Sequence, residues 1–285
     1  METIFHYCSS STFTSIISNN SIWLSSLSLS NDTMEGRFVA QTFDKLLAKS
    51  DVDAEEAEEI RKALRITGEL FDGLGFCLSE KPDLLSQWRG YADDGQGFSI
   101  GFNKEYLDEL SNIKDKNVPS FKLKKVFYEP VEHEAELKPI FDEIMKLVES
   151  GKLKKPKYGL LTMPSDDELK TKNDEYLKSI NDLWSKAIRT LPNIHILKNK
   201  AFSEEVEWRL ISYLLKESGD SALFRSSGNR LVPYREFKLK PLSSNAINEV
   251  YIGPKNITPY FVVEKFLLLN GFQGVTINKS EATYR

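Results

Sequence analysis

The chain has 285 residues, of which 40% are hydrophobic and 28% charged, with a formal net charge of -4. That is enough chain to bury a sizeable core, in the balance of apolar and charged residues usual for water-soluble proteins. It excludes a chain-wide basic field for nucleic acid, and two cysteines, Cys8 and Cys77, are too few for a disulfide scaffold. The start, METIFHYCSS, lacks the basic-then-apolar pattern of a signal peptide, and no apolar run reaches the length of a membrane span. A cytoplasmic protein with no membrane partner is the expectation.

In chain order, Thr3 to Cys8 alternates as a strand, and Ser9 to Ser11 supply N-cap candidates for a helix over 12–18. Ser21 to Ser25 forms a second strand, followed by the polar loop SLSNDTMEGR. Helices follow over 38–49 and 54–70, the second opening in the acidic run DVDAEEAEE, which complements the helix dipole. Gly73 to Ser79 is a strand. A short helix then opens at Pro82 and Asp83 and places Leu84, Trp88 and Tyr91 on one face. A Gly-punctuated strand over 95–102, a helix over 104–111 and a strand over 121–129 complete the first half. Residues 131–196 read as a helical insertion containing the Lys-rich linker GKLKKPKYG, whose basic run is expected to be solvated. Strands return around 205–215, 221–225, 232–240 and 248–253, then a helix over 258–270 and a strand over 274–277. Strands at both ends around inserted helices argue for one α+β domain over 1–285.

Residues 202–210, FSEEVEWRL, concentrate the chemistry. Read as a strand, they put Glu205, Glu207 and Arg209 on one face and Val206, Trp208 and Leu210 on the other. Two carboxylates at i, i+2 repel each other, which suits a site where positive charge develops. The plain alternative is an edge strand with charges on its exposed face.

Eight short motifs in fixed order carry a resemblance: Phe5-His6-Tyr7, Ile22-Trp23-Leu24-Ser25, Asn31-Asp32-x-x-Glu35-Gly36-Arg37, Cys77-Leu78-Ser79-Glu80, Gln87-Trp88-x-Gly90-Tyr91-Ala92-Asp93, Gly97-Phe98-x-Ile100-Gly101-Phe102, Glu205-x-Glu207-Trp208-Arg209 and Val250-Tyr251-Ile252-Gly253. Together they resemble the bacterial family called domain of unknown function 2971, over nearly the whole chain. More distantly, His6-Tyr7, Trp23-Leu24-Ser25 and Glu205-x-Glu207 are similar to three elements of the ADP-ribosyltransferases. The middle element lacks the usual Ser-Thr-Ser run, and no Gly-rich nicotinamide loop can be placed.

That second resemblance implies an ADP-ribosyltransferase-like split β-sheet core with flanking helices, and NAD as substrate. Members of this kind look like toxins or stress and phage-defence effectors, acting on a nucleic-acid or protein acceptor or hydrolysing NAD, with room for a partner or antitoxin protein. Glu207 would steady an oxocarbenium-like ribose, Glu205 would orient or deprotonate the acceptor, and His6 would donate to a ribose hydroxyl. Tyr7 and Trp23 would stack on nicotinamide, with core packing the default reading of both, and Ser25 would bond the ribose, with a strand-end turn serine the equal alternative. Asn31, Asp32, Glu35 and Arg37 concentrate charge beside a strand end, with Arg37 suited to a diphosphate. Trp88 and Tyr91 are further cofactor contacts, though their helical spacing also fits a core. Arg209 could hold Glu207 ionised or contact a phosphate.

Two other classes remain open on sequence. One is a non-catalytic module binding a nucleotide or partner; the other is a magnesium-dependent nuclease using Asp32, Glu35, Glu205 and Glu207. Three scattered histidines, no HExxH and no paired CxxC give no zinc site, so no metal is expected.

Overall fold

The computed structural model describes residues 2–29, 36–113, 120–156, 165–217, 222–242 and 244–284. The first strand is β1 (Thr3–Cys8). The Ser9 hydroxyl then accepts from the Thr12 amide and starts α1 (Ser10–Asn19), which Asn20 closes in a left-handed conformation. Next come β2 (Ser21–Ser26), α2 (Arg37–Leu47) and α3 (Ala54–Leu70), the last capped by Asp53, which accepts from the amides of Glu55 and Glu56. They are followed by β3 (Phe71–Ser79), α4 (Leu85–Tyr91), β4 (Phe98–Asn103), α5 (Lys104–Asn112) and β5 (Lys122–Lys125). The expected helical stretch is α6 (Pro130–Glu149), α7 (Asp166–Ile188) and α8 (Leu191–Ile194). The chain returns to β6 (Glu207–Leu215), β7 (Leu223–Ser227), β8 (Arg230–Lys238) and β9 (Ile247–Ile252), then α9 (Tyr260–Leu269) and β10 (Thr276–Lys279).

The strands form a single mixed sheet in the order β10-β9-β4-β1-β3-β2-β8-β7, with β6 paired to β3 and β5 paired to β6. Among the named strand pairs only β9–β10 is parallel, with α9 as its crossover. The class is therefore α+β, with a large open sheet.

Strand β3 organises this arrangement. One edge pairs along its whole length with β6, from Phe71↔Leu215 to Ser79↔Glu207. The other edge is divided: β1 meets it at Phe5↔Ser79, and β2 meets it at Ser25↔Gly75 and Ser26↔Leu74. Between those points Phe76 to Leu78 face no strand. A backbone carbonyl left there needs a partner, and His6 supplies it: its Nδ1 lies 2.8 Å from the Cys77 carbonyl oxygen. The gap where β1 and β2 part is where the cavities open.

Two apolar clusters cover the sheet. One gathers Phe13, Ile16 and Ile17 of α1, Tyr106 and Leu107 of α5, and Val263 and Leu267 of α9 against strand residues such as Ile4, Leu24, Ile100 and Leu210. The other joins α2, α3, α6 and α7 through Phe43, Ile60, Leu137, Phe141 and Leu183, and includes Ile211 of β6. Helices α6 and α7 thus pack with two helices from an earlier part of the chain. The Lys-rich linker is tied to α3 and α7 as well: Lys154 pairs with Asp53 at 2.6 Å, and Lys152 lies 3.9 Å from Glu175.

The strand expected over 121–129 is paired only over Lys122–Lys125; beyond it, Phe127 makes an isolated bridge to Leu197. The strand expected from 205 starts at Glu207, because Glu205 ends a 3-10 turn (Lys200–Glu205) and Val206 has φ of 43°.

Candidate functional site

The edge-strand reading of Glu205 and Glu207 does not hold. Strand β6 lies between β3 and β5, and Glu205, Glu207 and Arg209 are all buried. A β-branched residue at positive φ is an outlier costing roughly 1–3 kcal/mol, and such strain concentrates at functional sites. Here the strained Val206 turns the chain so that both carboxylates point at one ammonium. Lys198 Nζ lies 2.6 Å from Glu205 Oε2 and 2.9 Å from Glu207 Oε2.

Arg209 completes the group. Its Nε donates to Glu207 Oε1 at 2.7 Å, its Nη2 to Glu207 Oε2 at 3.0 Å, and its Nη1 to the His195 carbonyl at 2.8 Å. The guanidinium therefore holds Glu207 and is not set out for a phosphate, which corrects one of the roles expected of it. Two carboxylates and two cations balance, and this is how acids that would repel each other stay buried side by side. Burial raises the Glu207 carboxyl above its ordinary value, with Lys198 pulling the other way. Burial draws Lys198 down, but Glu207 and Glu205 outweigh it and hold the ammonium above its usual range. Burial and the neighbouring Glu207 push the Cys77 thiol well up, so it is no thiolate nucleophile.

A cavity of about 260 Å³ opens onto this group, lined by His6, Cys77, Gln87, Tyr91, Lys198, Phe202, Glu205, Glu207 and Arg209. His6 stacks on Phe76 with ring centroids 3.9 Å apart, and burial lowers its pKa to about 4. It is neutral at pH 7. Because Nδ1 donates to Cys77, Nε2 is an acceptor, so a ligand hydroxyl would donate to His6, the reverse of the expected direction.

A second cavity of about 480 Å³ shares His6, Cys77 and Tyr91 with the first and adds Ser11, Thr12, Ser15, Trp23, Ser25 and Arg225. Trp23 stacks on Tyr234 at 4.5 Å, and Ser25 Oγ accepts from Arg225 Nη2 at 3.3 Å. His6 thus stands between Glu207 on one side and Ser25 on the other. Tyr91 borders both cavities and is nearly half exposed; burial, then Glu205, lifts its hydroxyl to about 12.

Two expected contacts, Trp88 and Arg37, lie elsewhere, and a third, Tyr7, only borders the first cavity. Trp88 is fully buried in a small cluster with Phe5, Tyr7 and Ala92, its Nε1 donating to Asp83 Oδ1. Tyr7 borders the first cavity, but its hydroxyl donates to the Lys81 carbonyl and accepts from the Leu84 amide, and its ring meets Trp88 edge-on. The two rings pack against each other, as core packing for Tyr7 and helical spacing for Trp88 also allowed. Arg37 opens α2 and borders a separate cavity of about 870 Å³ with Asp44, Arg61 and His195. Asn31, Asp32 and Glu35 lie outside the described residues. Lys198 and Arg225 are absent from the sequence-based set. A buried acid pair demands a cation, and that demand was the one signal pointing to Lys198.

Among the described residues no cluster of three or more His, Cys, Asp or Glu is placed to hold a metal, and no helix is long and apolar enough to cross a membrane. For a magnesium site, Glu205 and Glu207 are already occupied by Lys198 and Arg209.

A family model described as "Protein of unknown function (DUF2971)" matches residues 87–210. The matched span includes Gln87, Tyr91, Lys198, Glu205, Glu207 and Arg209, while His6, Trp23 and Ser25 fall before it. No curated protein and no solved structure matches the chain. None of these comparisons links it to the ADP-ribosyltransferases.

Proposed function

We propose that this protein cleaves the nicotinamide–ribose bond of NAD and passes ADP-ribose to a nucleic-acid or protein acceptor, or to water, on an ADP-ribosyltransferase-like split sheet. One observation carries the reading. His6 borders two adjoining cavities, one walled by the Glu205–Glu207 pair and the other by Trp23 and Ser25. A dinucleotide could thread both, with its nicotinamide ribose at the junction.

In the reaction the C1′–nitrogen bond breaks and its electron pair leaves with nicotinamide, so positive charge passes from the pyridinium to the ribose. The Glu207 carboxylate, fixed by Arg209 and Lys198, stabilises that charge without reorganising. The neutral His6 accepts from a ribose hydroxyl and orients the sugar. The acceptor then bonds to C1′ and gives its proton to Glu205, whose negative charge Lys198 had balanced.

Incubation with NAD tests this. Nicotinamide release by the wild type, lowered at least a hundredfold in Glu207→Gln with NAD still bound, supports the enzyme. The complete pairing of Glu207 favours a second reading, a nucleotide-binding module without turnover. Saturable NAD binding with no nicotinamide released under any acceptor condition supports the module and removes the enzyme.

A further inference from the structure

The second cavity has an unusual charge pattern. Of the described side chains that line it, Arg225 alone carries a full charge; Glu236, opposite the lining residue Trp23 in the β2–β8 pair, is engaged by Lys238 at 2.8 Å. Arg225 sits on β7, opposite Val232 of β8, and reaches across to β2, where its Nη2 touches Ser25 Oγ at a long 3.3 Å. Among the described residues its buried Nε has no hydrogen-bond partner and its side chain forms no ion pair. Leaving a guanidinium N–H buried and unmet is costly, and a fork of such donors matches the oxygens of a phosphate. Ser11, Thr12 and Ser15 of α1 line the same space; the Ser11 and Thr12 hydroxyls bond Ser9 Oγ and Ser15 Oγ accepts from Asn19 Nδ2, each with capacity for a further partner.

We infer that Arg225 anchors the phosphates of a nucleotide in this cavity, with the α1 hydroxyls completing the site. The volume, about 480 Å³, is in the range that small-molecule sites occupy. The indole of Trp23 gives the cavity an aromatic wall, and the opening toward His6 sets the direction in which the rest of the ligand extends. The inference deepens the NAD reading and rests on it for the identity of the nucleotide. It adds that the diphosphate lies under the β7–β8 hairpin and not beside Arg37.

Calorimetric titration with ADP, and separately with inorganic phosphate, tests it on the wild type, Arg225→Gln and Ser15→Asp. Arg225 is on the last strand at one end of the sheet and Ser15 is on a helix, so the two variants fail to fold for different reasons if they fail at all. The expected result is saturable ADP binding by the wild type, weakened tenfold or more in each variant, as loss of a charge-assisted bond or gain of a facing carboxylate requires. Phosphate competing with ADP in the wild type, and less so in Arg225→Gln, places the contact at the phosphates. Equal ADP affinity in the wild type and both folded variants, or no ADP binding by the wild type, overturns the inference. NAD cleavage is measured alongside on Glu207→Gln. Arg225-dependent ADP binding without any NAD cleavage keeps the subsite and ends the transferase reading, whereas NAD cleavage indifferent to Arg225 does the reverse.

Discussion

Replacing Lys198 with Met tests the physics of the buried charge group. The ammonium touches Glu205 and Glu207 at 2.6 and 2.9 Å, and its side chain and that of Glu207 are each only 6% exposed. Removing one member of a buried ion pair costs about 3–5 kcal/mol, because the remaining charge stays desolvated. An exposed pair such as Lys49–Glu134, at 3.3 Å, is worth about 1 kcal/mol or less. Urea unfolding of Lys198→Met at pH 7.5 is therefore expected to show a loss of about 3–5 kcal/mol. The loss shrinks on acidification toward pH 5. Burial already raises the Glu207 carboxyl and Lys198 opposes that, so without Lys198 its folded-state pKa rises further above the unfolded value, the folded state takes up the proton first and stability recovers as pH falls. The double variant Lys198→Met/Glu205→Gln, which leaves Glu207 paired with Arg209 alone, recovers most of the loss. A single variant within 1 kcal/mol of wild type at pH 7.5, or one whose deficit is the same at pH 5, would refute the reasoning.

Two further predictions concern His195. Burial lowers its pKa to about 4, and its Nδ1 has no partner, so it is folded as the neutral ring. Between pH 6.5 and 5 the unfolded chain binds the proton that the folded chain refuses, so stability falls as pH falls; His195→Gln should remove about 2 kcal/mol of that loss in pH-dependent unfolding. Gly73 lies so close that a Cβ there would sit 2.3 Å from the imidazole. Gly73→Ala is expected to cost about 1–3 kcal/mol in thermal unfolding, and pairing it with His195→Ala should restore most of that; an additive pair would place the strain elsewhere.

The regular elements were legible wherever side-chain periodicity had one interpretation. Thr3–Cys8 and Ala54–Leu70 form as their patterns require, one by alternation and one by an acid-capped helix. The stretch after Phe121 alternates too, yet only Lys122–Lys125 pairs, because alternation does not reveal where a neighbouring strand stops. Val206 misled the reading for a specific reason: a β-branched residue argues for extended backbone, and here it adopts the left-handed region. The two glutamates still meet, through Lys198 instead of through strand alternation. Lys198 stands in an irregular segment after α8, where no period marks it as inward-facing. Trp88 shows the opposite limit, since helical spacing placed it on one face without telling core from cavity. Arg225 reaches the site from a hairpin that only the sheet order β2-β8-β7 brings near.

The account stands most directly on where a sugar binds. A crystal of Glu207→Gln grown with NAD should show the nicotinamide ribose at the junction of the two cavities, one hydroxyl donating to His6 Nε2 and the anomeric carbon facing residue 207. NAD bound away from His6, or touching His6 with its ribose turned from residue 207, would contradict it.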